Sequence, residues 1–202
     1  MPSEWLRRRK KDQFHRLAKK RGFRSRASFK LLQIARKYQF IKLGDRVLDL
    51  GAAPGGWLQA ARQLAGEQGQ ILGVDSERID SLPYPNVSTL MGDITEASLV
   101  DQIKSKAGSG FDVVLSDLSP DVSGVWEVDQ ARQIELARSA LRIARLVLRP
   151  SGNMLVKAFQ GSELEDFRAE MKHSFRTLRI VKPPASRPES AELYFLGLGF
   201  LG

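Results

Sequence analysis

The fold is decided by Arg46-Val47-Leu48-Asp49-Leu50-Gly51-Ala52-Ala53-Pro54-Gly55-Gly56-Trp57. A short run of buried-strand character, 46–50, enters a turn of small residues, and an apolar helical pattern follows over 55–65. A strand joined to a helix through such a turn starts an α/β unit. In an open sheet that turn lies at the carboxyl edge, where ligands bind. Small residues let a ligand approach the backbone closely, and the helix N-terminus offers free N–H groups. A dinucleotide loop would read G-x-G-x-x-G. Here the pattern is G-x-x-x-G-G with Pro54 inside it, and no G-K-[ST] follows as a P-loop would require.

Outward from this turn the alternation continues. Strands are expected over 70–74 (ending at Asp75), 87–91, 111–115 and 153–156, with strand-like segments at 177–181 and 193–198. Helices are expected over 99–106 and 129–148, and a capping box, Ser162-x-x-Glu165, opens another. Apolar strands separated by helices imply a largely parallel sheet covered on both faces. Upstream, Gly22 breaks the pattern and Ser25 is a candidate N-cap. Ala27, Leu31, Ile34, Ala35 and Tyr38 then follow helical spacing, with Arg26, Lys30, Gln33 and Lys37 as a basic stripe on another face.

With 202 residues, the chain is expected to form a single domain with a short basic extension, 1–22 followed by 23–202. It has no cysteine, which excludes disulfides and thiolate zinc sites. His15 and His173 lie far apart and are read as structural or surface residues; no metal is expected. The chain begins with charge rather than an apolar run, so neither a signal peptide nor membrane association is expected, and a cytoplasmic monomer is. Charge is strongly divided. Residues 1–42 hold 15 Lys+Arg against Glu4 and Asp12, a net +13, whereas residues 43–202 hold 17 against 21 acids, a net −4. A basic block on a near-neutral domain is the footprint of a polyanion partner, and RNA fits better than a membrane surface. The expected phosphate contacts are Arg7, Arg8, Arg9, Lys10, Lys11, Lys19, Lys20, Arg21, Arg24, Arg26, Lys30 and Lys37.

Two acids complete the nucleoside site. Asp75 ends the second strand, placed to accept hydrogen bonds from a ribose diol, and Asp93, with Ile94, follows the third, near the base. A nucleoside cofactor without a pyrophosphate is the economical reading, and S-adenosylmethionine is the obvious member. Gly51, Ala52, Ala53, Pro54, Gly55, Gly56 and Asp117 are the other candidate cofactor contacts. Trp57 is expected beside the cofactor or in the core, and Trp126 in a substrate loop.

DLGAAPGGW (49–57) resembles the cofactor motif of the FtsJ-type RNA 2′-O-methyltransferases, as do RSRASFKLLQ around Lys30, SDLSPDVSG around Asp117, VKAFQG around Lys157 and SAELY around Glu192. The resemblance runs from about residue 14 to the end. It implies a Rossmann-like, single-domain methyltransferase fold whose mostly parallel, seven-stranded sheet has an antiparallel last strand. It also implies a catalytic tetrad of Lys30, Asp117, Lys157 and Glu192. Leu118-Ser119 departs from the small or apolar pair common after the motif aspartate.

A ribose 2′-hydroxyl is a poor nucleophile, so such a site must orient it and remove its proton. Lys157 is expected as the general base, Asp117 as its orienter, Lys30 as substrate positioner and Glu192 as support. A lysine acts so only when neutral, which a neighbouring cation such as Lys30 favours and Asp117 opposes. Within the family, a uridine of large-subunit ribosomal RNA is the expected target, with the tRNA anticodon loop as the alternative. A ribosome-assembly factor with a vestigial site is the reading from another class, and the missing G-x-G-x-x-G counts against a nicotinamide oxidoreductase.

Overall fold

A computed structural model describes residues 13–108, 110–187 and 189–202. Arg7, Arg8, Arg9, Lys10 and Lys11 therefore lie outside the described residues. The elements, in order, are α1 (Gln13–Lys20), α2 (Ser28–Tyr38), β1 (Arg46–Leu50), α3 (Gly56–Ala65), β2 (Gln70–Asp75), β3 (Val87–Met91), α4 (Leu99–Ala107), β4 (Phe111–Ser116), α5 (Trp126–Val147), β5 (Leu148–Phe159), α6 (Leu164–Ser174), β6 (Phe175–Val181) and β7 (Glu192–Phe200).

The seven strands form one sheet in the order β3-β2-β1-β4-β5-β7-β6. β7 runs antiparallel to both β5 and β6, and the other pairs are parallel. Alternation along the strands sorts side chains into two cores. Leu48, Leu50, Val114 and Val156 pack beneath α4, α5 and α6. Val47, Val113, Leu155 and Tyr194 pack beneath α2 and α3. The chain leaves β1 towards β3 and returns at β4, so the connections diverge above the carboxyl ends of β1 and β4 and leave a crevice there.

Three local expectations are corrected. The capping box does not form: α6 starts at Leu164 after Glu163 with no side-chain cap, and the Ser162 hydroxyl instead accepts from Gln130 Nε2 at 3.3 Å. Ser25 does not cap α2 directly. Its hydroxyl accepts from Ala27 N at 3.1 Å, capping a turn that precedes the helix. β5 begins at Leu148 rather than near residue 153, because Leu148 already pairs with Phe111. Pro150-Ser151-Gly152 is then carried as an irregularity in the ladder, with Ser151 at φ 65°. At the N-terminus, Phe14, Leu17 and Ala18 of α1 pack against Phe29 and Ala185, which fastens that helix to the domain.

Candidate active site

A cavity of about 560 Å³ opens at the carboxyl edge, bounded by Leu50, Gly51 and Ala53 of the glycine turn, by Asp75, by 92–95, and by 117–121. That size suits a nucleoside-bearing ligand. The turn is built for close approach: Gly51 has φ 80°, and a Cβ there would stand 2.7 Å from the Leu118 side chain. Asp75 fixes the turn, accepting from Ala53 N at 2.8 Å and from Glu77 N at 2.9 Å. Asp93 accepts from the backbone N–H and hydroxyl of Thr95, both at 2.8 Å. The Thr95 N–H holds its carboxyl below the ordinary range. Asp75, Asp93, Ile94, Gly51, Ala53 and Asp117 all line the cavity, so the expected acids converge on one site.

Ala52, Pro54, Gly55, Gly56 and Trp57 are not in the cavity wall. Trp57 is buried; its indole N–H donates to Ala27 O at 2.9 Å, and its ring centroid lies 5.9 Å from that of Tyr194. Trp57 thus sits in the core cluster beneath α2 and α3. Gly56 is required by packing, since a Cβ would meet Ser25 Cβ at 2.7 Å and Ser28 Oγ at 2.9 Å.

Behind the turn, Asp49 is fully buried and neither carboxylate oxygen has a partner. Burial pushes its carboxyl well above the ordinary range, and Asp117 and Asp75 push it further. Asp75, Glu77, Asp93, Asp117 and Asp121 open into the cavity, so its acidic wall fits a ligand bearing positive charge.

The four residues of the implied tetrad meet beside this cavity. Lys157 Nζ donates to Asp117 O at 2.9 Å and lies 3.3 Å from Asp117 Oδ1. It also donates to Ser119 Oγ, so the departure at Leu118-Ser119 supplies a partner for the amine. Lys30 Nζ and Glu192 Oε1 form an ion pair at 2.5 Å, and Ser186 Oγ donates to the same oxygen at 2.7 Å. Tyr194, which sequence reasoning did not single out, joins the pairs. Its hydroxyl donates to Asp117 Oδ1 at 2.7 Å, and Lys30 Nζ stands 5.8 Å from its ring centre. Burial, reinforced by Asp117 and Glu192, pushes the Tyr194 phenol well up, so it remains a donor. The only sequence signal for this role is its place in SAELY, directly opposite Lys157 in the β5–β7 ladder.

The basic stripe is also corrected. Lys30 is buried and its charge is balanced by Glu192, so it faces the site rather than solvent. Arg24 donates to the carbonyl oxygens of Pro54 (3.1 Å), Asp80 (2.6 Å) and Ser81 (2.6 Å). Arg26 donates to Ala185 O. Lys19, Lys20, Arg21 and Lys37 are exposed. A second cavity of about 490 Å³, lined by Arg26, Ala27, Lys30, Arg187, Glu189, Ser190 and Glu192, adjoins the tetrad from the basic side.

The FtsJ-like methyltransferase family model matches residues 23–200. The chain belongs to that family. Ribosomal RNA large subunit methyltransferase E of Methanothrix thermoacetophila is 50% identical over 187 residues, covering 93% of this chain and 72% of the relative. The protein of the same name from Methanothermobacter thermautotrophicus is 46% identical over 202 residues, covering 100% of this chain and 96% of the relative. A crystal structure from Plasmodium falciparum, described as a ribosomal RNA methyltransferase, superposes with a TM-score of 0.80 at 28% identity, over 89% of this chain and 100% of that one. Family membership makes the protein a methyltransferase, and the sheet with its single antiparallel strand is the architecture the resemblance implied. Among the described residues no helix is long and apolar enough to cross a membrane.

Proposed function

We propose that this protein transfers a methyl group from S-adenosylmethionine to the 2′-hydroxyl of a ribose, that of a uridine, in large-subunit ribosomal RNA. The observation that carries the reading is the position of the tetrad between two cavities. Asp117 opens to the larger one, with its nucleoside-type acids, and Lys30 and Glu192 open to the smaller one on the basic side. A ribose entering from the basic side would meet the Lys157–Asp117 pair. The relatives' name, ribosomal RNA large subunit methyltransferase E, favours ribosomal RNA over tRNA.

The cofactor, when bound, supplies an electrophilic methyl group. The protein's part is to hold and deprotonate the hydroxyl. Asp75, Asp93 and the backbone at Gly51 and Ala53 would hold the nucleoside half. As an ammonium, Lys157 donates to Asp117 and Ser119. As a neutral amine it has a lone pair for the hydroxyl proton, and Ser119, a donor as well as an acceptor, keeps its contact in either state. Tyr194 and Lys157 together hold the Asp117 carboxylate, fixing the direction from which the amine acts. Because Glu192 balances the Lys30 charge, Lys30 serves in positioning the ribose more than as a lone cation beside Lys157.

The test is transfer from labelled S-adenosylmethionine to undermodified large ribosomal subunits, free ribosomal RNA and tRNA in parallel. Label should enter ribosomal RNA. Lys157→Ala should lower the rate by roughly 10²–10⁴-fold while cofactor is retained. Label in tRNA alone overturns the substrate. No transfer despite bound cofactor favours an assembly factor.

A further inference from the structure

Trp126 and Phe159 stack on one another with ring centroids 5.9 Å apart and planes inclined by 17°. Large aromatic side chains ordinarily bury such a contact, yet Trp126 is 46% exposed. Its surroundings continue the patch: Val122 and Val125, in the segment leading from the cavity wall to α5, are also exposed. The segment is held in place, because Asp129 accepts from the Ser123 backbone N–H at 2.7 Å, the Ser123 hydroxyl at 2.7 Å and the Gly124 N–H at 3.3 Å.

The location gives the patch a meaning. Phe159 follows Lys157 by two residues on β5, so both project to the same face of the sheet, ~7 Å apart along the strand. Phe159 is also paired directly opposite Glu192, as Lys157 is opposite Tyr194. The stacked pair is therefore the next side-chain position beyond the tetrad. An aromatic face held open beside a site of ribose chemistry suits a flat, unpaired ring, since every base has a π-face and a duplex hides it.

Resting on the RNA-methyltransferase reading above, we infer that the Trp126–Phe159 pair is a stacking platform for an unpaired base of the substrate RNA adjoining the reacting nucleotide. Stacking is tolerant of base identity, so the platform selects for single-stranded character at the target rather than for one sequence.

The test titrates oligouridylate, free and annealed to oligoadenylate, into the intact protein and into Trp126→Ala, Trp126→Phe and Trp126→Leu, following binding and tryptophan fluorescence. The KM for undermodified large subunits is measured alongside. The free strand should quench wild-type fluorescence and the duplex should not. Trp126→Ala and Trp126→Leu should weaken binding and raise KM by about tenfold or more, with cofactor retention unchanged. Trp126→Phe should keep most of the affinity while losing the quench. Wild-type affinity in Trp126→Ala, or rescue by Leu as full as by Phe, overturns the platform. If the wild type methylates no ribosomal RNA, the enzymatic reading fails, and the oligouridylate titration still decides the stacking claim.

Discussion

Asp49 is a carboxyl buried in the fold without a partner. It stands in an apolar strand with neither oxygen partnered, and burial followed by the charges of Asp117 and Asp75 raises its pKa. The folded protein therefore holds the Asp49 proton more tightly than the unfolded chain does. Below the ordinary carboxylate value, ~3.9, both states are protonated and nothing is lost. As pH rises past that value the unfolded chain releases its proton first, so stability falls by up to ~1.4 kcal/mol per pH unit until the raised folded value is reached. Asp49→Asn removes this dependence. Urea unfolding of the cofactor-free protein should show stability declining as pH rises above the ordinary carboxylate value in the wild type and declining less in the variant. Equal slopes in the two proteins would mean that Asp49 is already ionised in the fold.

Among the elements, the glycine turn is braced from outside its own motif. Arg24, in the segment before α2, binds the carbonyls of Pro54, Asp80 and Ser81, while its own N–H donates to Gln59 Oε1 at 2.7 Å. A side chain so committed braces the cofactor loop rather than serving RNA first. Arg24→Ala should weaken cofactor binding, read by calorimetry, and leave the salt dependence of RNA binding unchanged. A slope smaller by about one would instead assign its charge to a phosphate. What was legible in the sequence follows the same physics. Apolar strands bounded by Gly, Asp and Pro announced β1 to β4, and Lys157 and Asp117 stood at strand ends where chemistry is expected. The start of β5 was hidden because Pro150-Ser151-Gly152 has turn composition although the ladder carries it through. Tyr194 was hidden because its role comes from facing Lys157 across an antiparallel pair, which no local pattern encodes. Trp57 belongs to the motif, but helical spacing with Ala60 and Ala61 takes it into the core.

Across the whole molecule, charge and packing divide the N-terminal block differently. Residues 1–12 carry five of its 15 cations and both of its acids, and residues 13–42 carry the other ten. Of those ten, Lys30 is neutralised by Glu192 and Arg24 and Arg26 are spent on carbonyls, whereas Arg16, Lys19, Lys20, Arg21, Arg36, Lys37 and Lys42 are exposed. The remaining chain, net −4 over residues 43–202, repels a polyanion away from this region and so steers it towards the Lys30 side of the tetrad. A deletion meant to isolate the electrostatic contribution must spare α1, because Phe14, Leu17 and Ala18 cover Phe29 and Ala185. Deleting residues 1–12 removes five cations and leaves α1 whole. It should weaken RNA binding at low salt, and the slope of log affinity against log salt should shrink by as much as ~3.5 if all five cations neutralise phosphates of a single strand. The two proteins should then converge in affinity at high salt, where displaced counterions no longer favour the longer basic segment. Deleting residues 1–20 should also lower the melting temperature, since it uncovers an apolar surface as well as removing charge. Identical salt slopes for the intact chain and the shorter deletion would place the phosphate contacts on the exposed cations of residues 13–42 alone.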